Sequence, residues 1–126
     1  SRPRAGDVSA EERALRTTPE HAAENFIEAY RAHAYARAAD FANGSFARAL
    51  RKRADRPAAD GGNGRIWVLQ ETHYLRKDKW RFVGVLTKQD EDESLGWPIA
   101  LTVIKRDDGY FVDDLHWPKG PPTEEP

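Results

Sequence analysis

The chain has 126 residues, room for one domain with a single core and not for two. Its 20 basic and 21 acidic residues leave a net charge of −1, which excludes the broad attraction to phosphate backbones on which nucleic-acid binding draws. Cysteine is absent, so disulfides, thiolate nucleophiles and cysteine-based zinc sites are excluded together.

Residues 1–17 are polar, with Pro3 and Gly6 early and no sustained apolar stripe, and read as a tether. Ser9 with Glu12 three residues on would cap a short helical turn over residues 9–15. Thr18-Pro19-Glu20 is a cleaner start: Thr as N-cap, Pro at the first helical position and an acid in the first turn. Ala22, Phe26, Ile27, Tyr30 and Ala34 then recur at helical spacing and predict the main helix with one apolar stripe. A short second helix is expected over 35–41, closed by Asn43-Gly44. Ser45 would cap a third over 46–54 that buries Phe46, Ala47 and Leu50 and exposes Arg48, Arg51, Lys52 and Arg53. Residues 57–64, PAADGGNG, are a loop; they precede a strand, whereas phosphate-cradling glycines lead into a helix.

From Arg65 the period becomes two. Trp67, Leu69, Glu71, His73 and Leu75 should share one strand face, with Ile66, Val68, Gln70, Thr72 and Tyr74 on the other. Lys77-Asp78 turns into a second strand over 80–88, and the acidic run Asp90 to Glu93, which lacks the spacing of a calcium loop, is a solvated connection. A third strand runs over 97–105, and Asp107-Asp108-Gly109 is a hairpin turn into a fourth over 110–117, stopped by Pro118. Helices followed by an antiparallel meander predict an α+β domain over 18–118, its sheet covered on one face by the helices, with a tail over 119–126.

The order PEHAAENFIEAYRAH, DFANG, a third helix, and strands ending ALTVIKRDDGYFVDDLHW resembles the NTF2-like superfamily, over roughly residues 18–117. The resemblance implies a cone of helices on a curved, mainly antiparallel sheet of four or more strands. It implies two kinds of function. Ketosteroid isomerase and polyketide cyclase relatives place Asp, His or Tyr inside the cone; others, including VirB8-type subunits, are non-catalytic dimerisation, binding or extracytoplasmic assembly domains.

An enzyme would need an acid or base held in an apolar pocket, where burial moves its pKa toward the working pH. The candidates are Glu71 and His73, together on the Trp67 face, with Asp113 and Tyr30, and behind them Asp40 and Asp114. The bland alternatives are a solvated strand end for Glu71 and His73, a satisfied core-edge hydroxyl for Tyr30 and a structural acceptor for Asp113. His21 and His33 lie twelve residues apart without a third ligand, so neither a metal nor a cofactor is expected. Trp67, Trp97 and Trp117, two of them followed by Pro, would either fill the core or present a partner-binding surface. Arg48, Arg51 and Lys52 would be a solvated helix face or a surface for an anionic partner.

The sequence is therefore expected to be a non-catalytic NTF2-like binding or assembly domain, with a small-molecule enzyme of the isomerase or cyclase kind as the alternative. A start at Ser1 without any methionine and the polar leading segment read as an excised, extracytoplasmic part of a bacterial membrane-anchored or exported protein. Its expected partners are a protein or a second copy through the open sheet face, with a small hydrophobic ligand possible, no nucleic acid, and contact with a membrane only through an upstream anchor.

Overall fold

The computed structural model describes residues 18–54, 65–107 and 109–120. The expected tether with its Ser9 cap, the loop at 57–64 and most of the expected tail lie outside the described residues.

Helix α1 spans Pro19–Arg31, and the predicted cap is in place: the Thr18 side chain accepts from the His21 N–H at 3.1 Å. Ala22, Ala23, Phe26, Ile27, Ala29 and Tyr30 are buried along one stripe. Ala34, expected on that stripe, is exposed because the helix has already closed. The His33 N–H donates to the Tyr30 carbonyl and the Ala34 N–H to that of Ala29, with His33 at φ 60. This is a Schellman closure with histidine in the left-handed position that glycine usually takes, so no glycine marks it in the sequence.

Helix α2, Tyr35–Ala39, ends two residues before the expected Phe41, because the chain there turns to meet the sheet. Ala42 forms an isolated parallel bridge with Val112. The Val112 N–H donates to the Phe41 carbonyl at 2.7 Å, and the Asn43 N–H to the Val112 carbonyl at 2.9 Å. Helix α3, Gly44–Ala54, starts from the Asn43 carbonyl, which accepts from Phe46 and Ala47, rather than from Ser45. Gly44, at φ 48, makes the bend from bridge to helix that a side chain would strain.

The strands are β1 Arg65–Arg76, β2 Lys79–Lys88, β3 Trp97–Arg106 and β4 Gly109–His116, in the antiparallel order β1-β2-β3-β4. Helix α1 touches all four strands, while α2 and α3 pack on its flank and on each other. Between the layers Phe26, Ile27, Phe41, Leu50, Phe82, Leu86, Ile99, Leu101, Val103 and Val112 are at most 2% exposed. Burying side chains of this size contributes about 1.5–3 kcal/mol each before conformational entropy is counted.

Two bulges reset the faces. On β1, Leu69 pairs Gly84 but Glu71 pairs Val83, so Gln70 is an extra residue. On β4, Val112 pairs Val103 but Asp114 pairs Thr102, so Asp113 is extra. Each inserted residue inverts the inward and outward alternation beyond it. A third irregularity at Leu75 precedes the turn, where Asp78 takes φ 62.

Gln89 to Gly96 folds back along the sheet through the 3-10 turn Glu93–Leu95. Arg65 holds this return: its guanidinium lies 4.0 Å over the Trp97 ring, donates to the Leu86 carbonyl and pairs with Glu91 at 3.1 Å. Asp92 accepts from the Ser94 N–H at 2.9 Å; this backbone bond, helped by the Ser94 side chain, lowers its carboxyl below the ordinary 3.8.

Candidate functional site

Among the described residues, the core between helices and sheet is built of hydrocarbon side chains. No carboxylate is buried among the described residues, the His33 imidazole is half-buried, and Arg65 and Thr87 are the buried polar side chains there besides the Tyr30 phenol. Tyr30 reaches the core edge, where its hydroxyl accepts from Arg53 at 3.1 Å. The same guanidinium donates to the Tyr35 hydroxyl at 2.8 Å and lies 4.1 Å over that ring. Arg53, expected on the exposed basic face of α3, is thus turned inward to clamp the three helices. Its spacing from Phe46 and Leu50, seven and three residues, is that of the buried stripe and could have revealed it.

Glu71 and His73 do meet, at 3.5 Å, but not on the Trp67 face. The Gln70 bulge turns both to the face away from the helices, where they are 60% and 49% exposed. Asp113, the extra residue of β4, accepts from the Asn43 side chain at 3.0 Å, the structural role weighed against catalysis. Asn43 also accepts from Arg106, tying β3, β4 and the start of α3. Asp40 sits between Arg37 and Arg51, at 3.8 and 3.9 Å on the surface. The enzymatic candidates are therefore dispersed: Tyr30 against the core edge, Asp113 in a strut, Glu71 and His73 outside.

Outside, however, the sheet presents an ordered surface. Reading across strands β1 to β4, one row is His73, Arg81, Thr102 and Asp114, and the next is Glu71, Val83, Ala100 and His116. Side chains directly opposite in an antiparallel pair lie on one face about 4.5–5.5 Å apart. Arg81, Val83, Ala100, Thr102, Asp114 and His116, with Pro118, line a concavity of about 580 Å³. Arg81 stands on its β2 side and Asp114 with His116 on its β4 side, with Val83, Ala100 and Thr102 between them. Arg81 is missed by reading the strands singly, because only the pairing register brings it into one row with Asp114, which the sequence does offer as a candidate.

The tryptophans expected as partner contacts are half-buried. Trp67, Trp97 and Trp117 pack against the core cluster, as does Trp80. Trp67 lies over Gly84 and, with Leu69, Glu24 and Glu28, lines a smaller groove of about 290 Å³ beside α1. Its indole N–H is buried without a hydrogen-bond partner among the described residues. On α3, Arg48, Arg51 and Lys52 are exposed, with Arg51 partly neutralised by Asp40. Among the described residues no three His, Asp or Glu side chains gather as a metal would require, and no helix is long and apolar enough to cross a membrane. No family model matches the chain, and no curated protein or solved structure matches it either.

Proposed function

We propose that this is a non-catalytic binding and assembly domain of NTF2-like kind, the extracytoplasmic part of a bacterial membrane-anchored or exported protein, and that it self-associates through its open sheet face. The observation that carries the reading is the self-complementary row on that face. Arg81 and Asp114 stand one strand to either side of Thr102. A two-fold axis through Thr102 sets each Arg81 against Asp114 of the second copy, and a two-fold interface requires such self-complementarity. Val83 and Ala100 beside them give the apolar contact that a pair of charges alone does not supply.

Light scattering across a concentration series tests this. The expected particle has twice the chain mass of 14.3 kDa. Arg81→Asp should release the monomer, and Arg81→Asp combined with Asp114→Arg should restore the dimer, because the swap rebuilds the charge pair. A wild-type monomer at high concentration, or a dimer indifferent to both variants, overturns self-association by this face.

The hydrocarbon lining of the described interior supports the non-catalytic part of the proposal. Among the described residues no carboxylate is buried there, and Glu71 with His73 are solvated.

A further inference from the structure

A second surface stands at the hairpin end of the sheet, away from the face just described. Both turns, β1 to β2 and β3 to β4, lie at this end and are joined by a bond from the Lys105 N–H to the Asp78 carbonyl at 2.9 Å. On the helix side Tyr74, Trp80 and Tyr110 form a ladder, with ring centroids 5.7 and 5.3 Å apart and each pair packed edge to face. Every residue of β1 from Leu69 to Arg76 is exposed, and at the irregularity around Leu75 the consecutive residues Tyr74 and Leu75 are 64% and 41% exposed. Arg76, Lys77, Lys79 and Lys105 surround this tip, and none is ion-paired among the described residues. A chain of net charge −1 thus sets four cations, against the turn acids Asp78 and Asp107, around two of its exposed large apolar side chains.

We infer that this hairpin end docks on an anionic lipid surface, the aromatic and leucine side chains entering the headgroup layer and the bases lying over lipid phosphates. The composition favours a penetrable partner. An exposed Tyr-Leu pair with Lys and Arg beside it in the chain suits the headgroup boundary, where aromatic rings with a polar end and long cationic side chains both accumulate. A single-stranded nucleic acid is the competing polyanion. It calls for rings with open faces along a groove, whereas here Trp80 has an aromatic neighbour on either side. The inference does not rest on self-association, since its residues lie outside the Thr102 row.

Co-sedimentation with vesicles tests it, using phosphatidylcholine alone and phosphatidylcholine with phosphatidylglycerol at roughly 2:1. The expected result is binding to the anionic vesicles only, weakening as salt rises. Lys77→Glu with Lys105→Glu should lower the partition coefficient by about tenfold or more, and Tyr74→Ser with Leu75→Ser should abolish binding, the thermal midpoint of each reporting that the fold persists. Arg48→Glu, Arg51→Glu and Lys52→Glu on α3 should leave binding unchanged. The inference is overturned if the wild type ignores anionic vesicles, if the tip variants bind as well as wild type while the α3 variant does not, or if a single-stranded oligonucleotide displaces the vesicles at lower charge concentration than they bind. Because Arg81 and Asp114 stay intact in the tip variants, a monomeric wild type that still binds vesicles refutes self-association and spares the lipid site.

Discussion

The two faces of the one sheet are built from the same strands yet obey different rules. Toward the helices, Phe82, Leu86, Ile99, Leu101, Val103 and Val112 are sealed. Away from them, partners one residue along are Arg81, Val83, Ala100, Thr102, Asp114 and His116. The inner face is governed by volume and the outer by charge, and a single inserted residue moves a side chain from one regime to the other. The largest effect expected from this contrast is on the inner face. Phe26→Ala should cost about 3–5 kcal/mol, while Thr102→Ala outside should stay within about 0.5 kcal/mol. Denaturant titration of both variants breaks the comparison if their costs are alike.

Gly84 sharpens it. A Cβ there would press on the Trp67 indole and stand 2.7 Å from the Val68 carbonyl oxygen, which cannot move aside as a flexible side chain does. Gly84→Ala should therefore destabilise by about 1–3 kcal/mol, with a shift in tryptophan emission as Trp67 is displaced. An unchanged spectrum and midpoint would show that the sheet yields there.

At the edge of the core, Arg53→Ala removes the shared donor of two tyrosine hydroxyls and a cation over the Tyr35 ring. About 1–2 kcal/mol is expected, and Arg53→Lys should recover little of it, because an ammonium cannot reproduce the fork. Equal stability of the Lys and wild-type proteins would reduce the clamp to a simple charge.

The smallest effect concerns Asp92. Its carboxyl is lowered below 3.8 by the Ser94 backbone, so the folded state favours the ionised form. That stabilisation is fully present above the unfolded value and is lost as pH falls through the folded one. The gap in thermal midpoint between wild type and Asp92→Ala should thus be widest at neutral pH and close below about pH 3.8. A gap that persists in acid would assign the role to something other than the charge.

Much of the framework is legible in the sequence. The Thr18 cap, the α1 stripe as far as Tyr30, the Asn43-Gly44 break and all four strands follow from periodicity and turn chemistry, because each is decided within a few residues. What was not legible depends on partners distant in sequence. Nothing in LQETH announces that Gln70 is an extra residue, since the bulge exists only relative to β2, and so Glu71 and His73 were expected on the wrong face. Asp113 is the same case on β4. Ala34 was placed on α1 because its closure uses histidine where the sequence rule looks for glycine. The Arg81 to Asp114 row requires two registers at once, and no single strand contains it.

The strut at Asn43 also bears on the order in which the molecule is made. Its amide reaches Asp113 across 70 residues, and the strand-like bridge from the helical layer, Ala42 to Val112, ends on the same strand. Of the four strands, the one that locks the helices to the sheet is the last to leave the ribosome. Until it arrives, the α1 stripe has no complete floor to bury itself on, and closing so long a span before any reward slows the final step. A nascent chain arrested just before Tyr110 should consequently remain open to protease along α1 and become resistant only when β4 emerges.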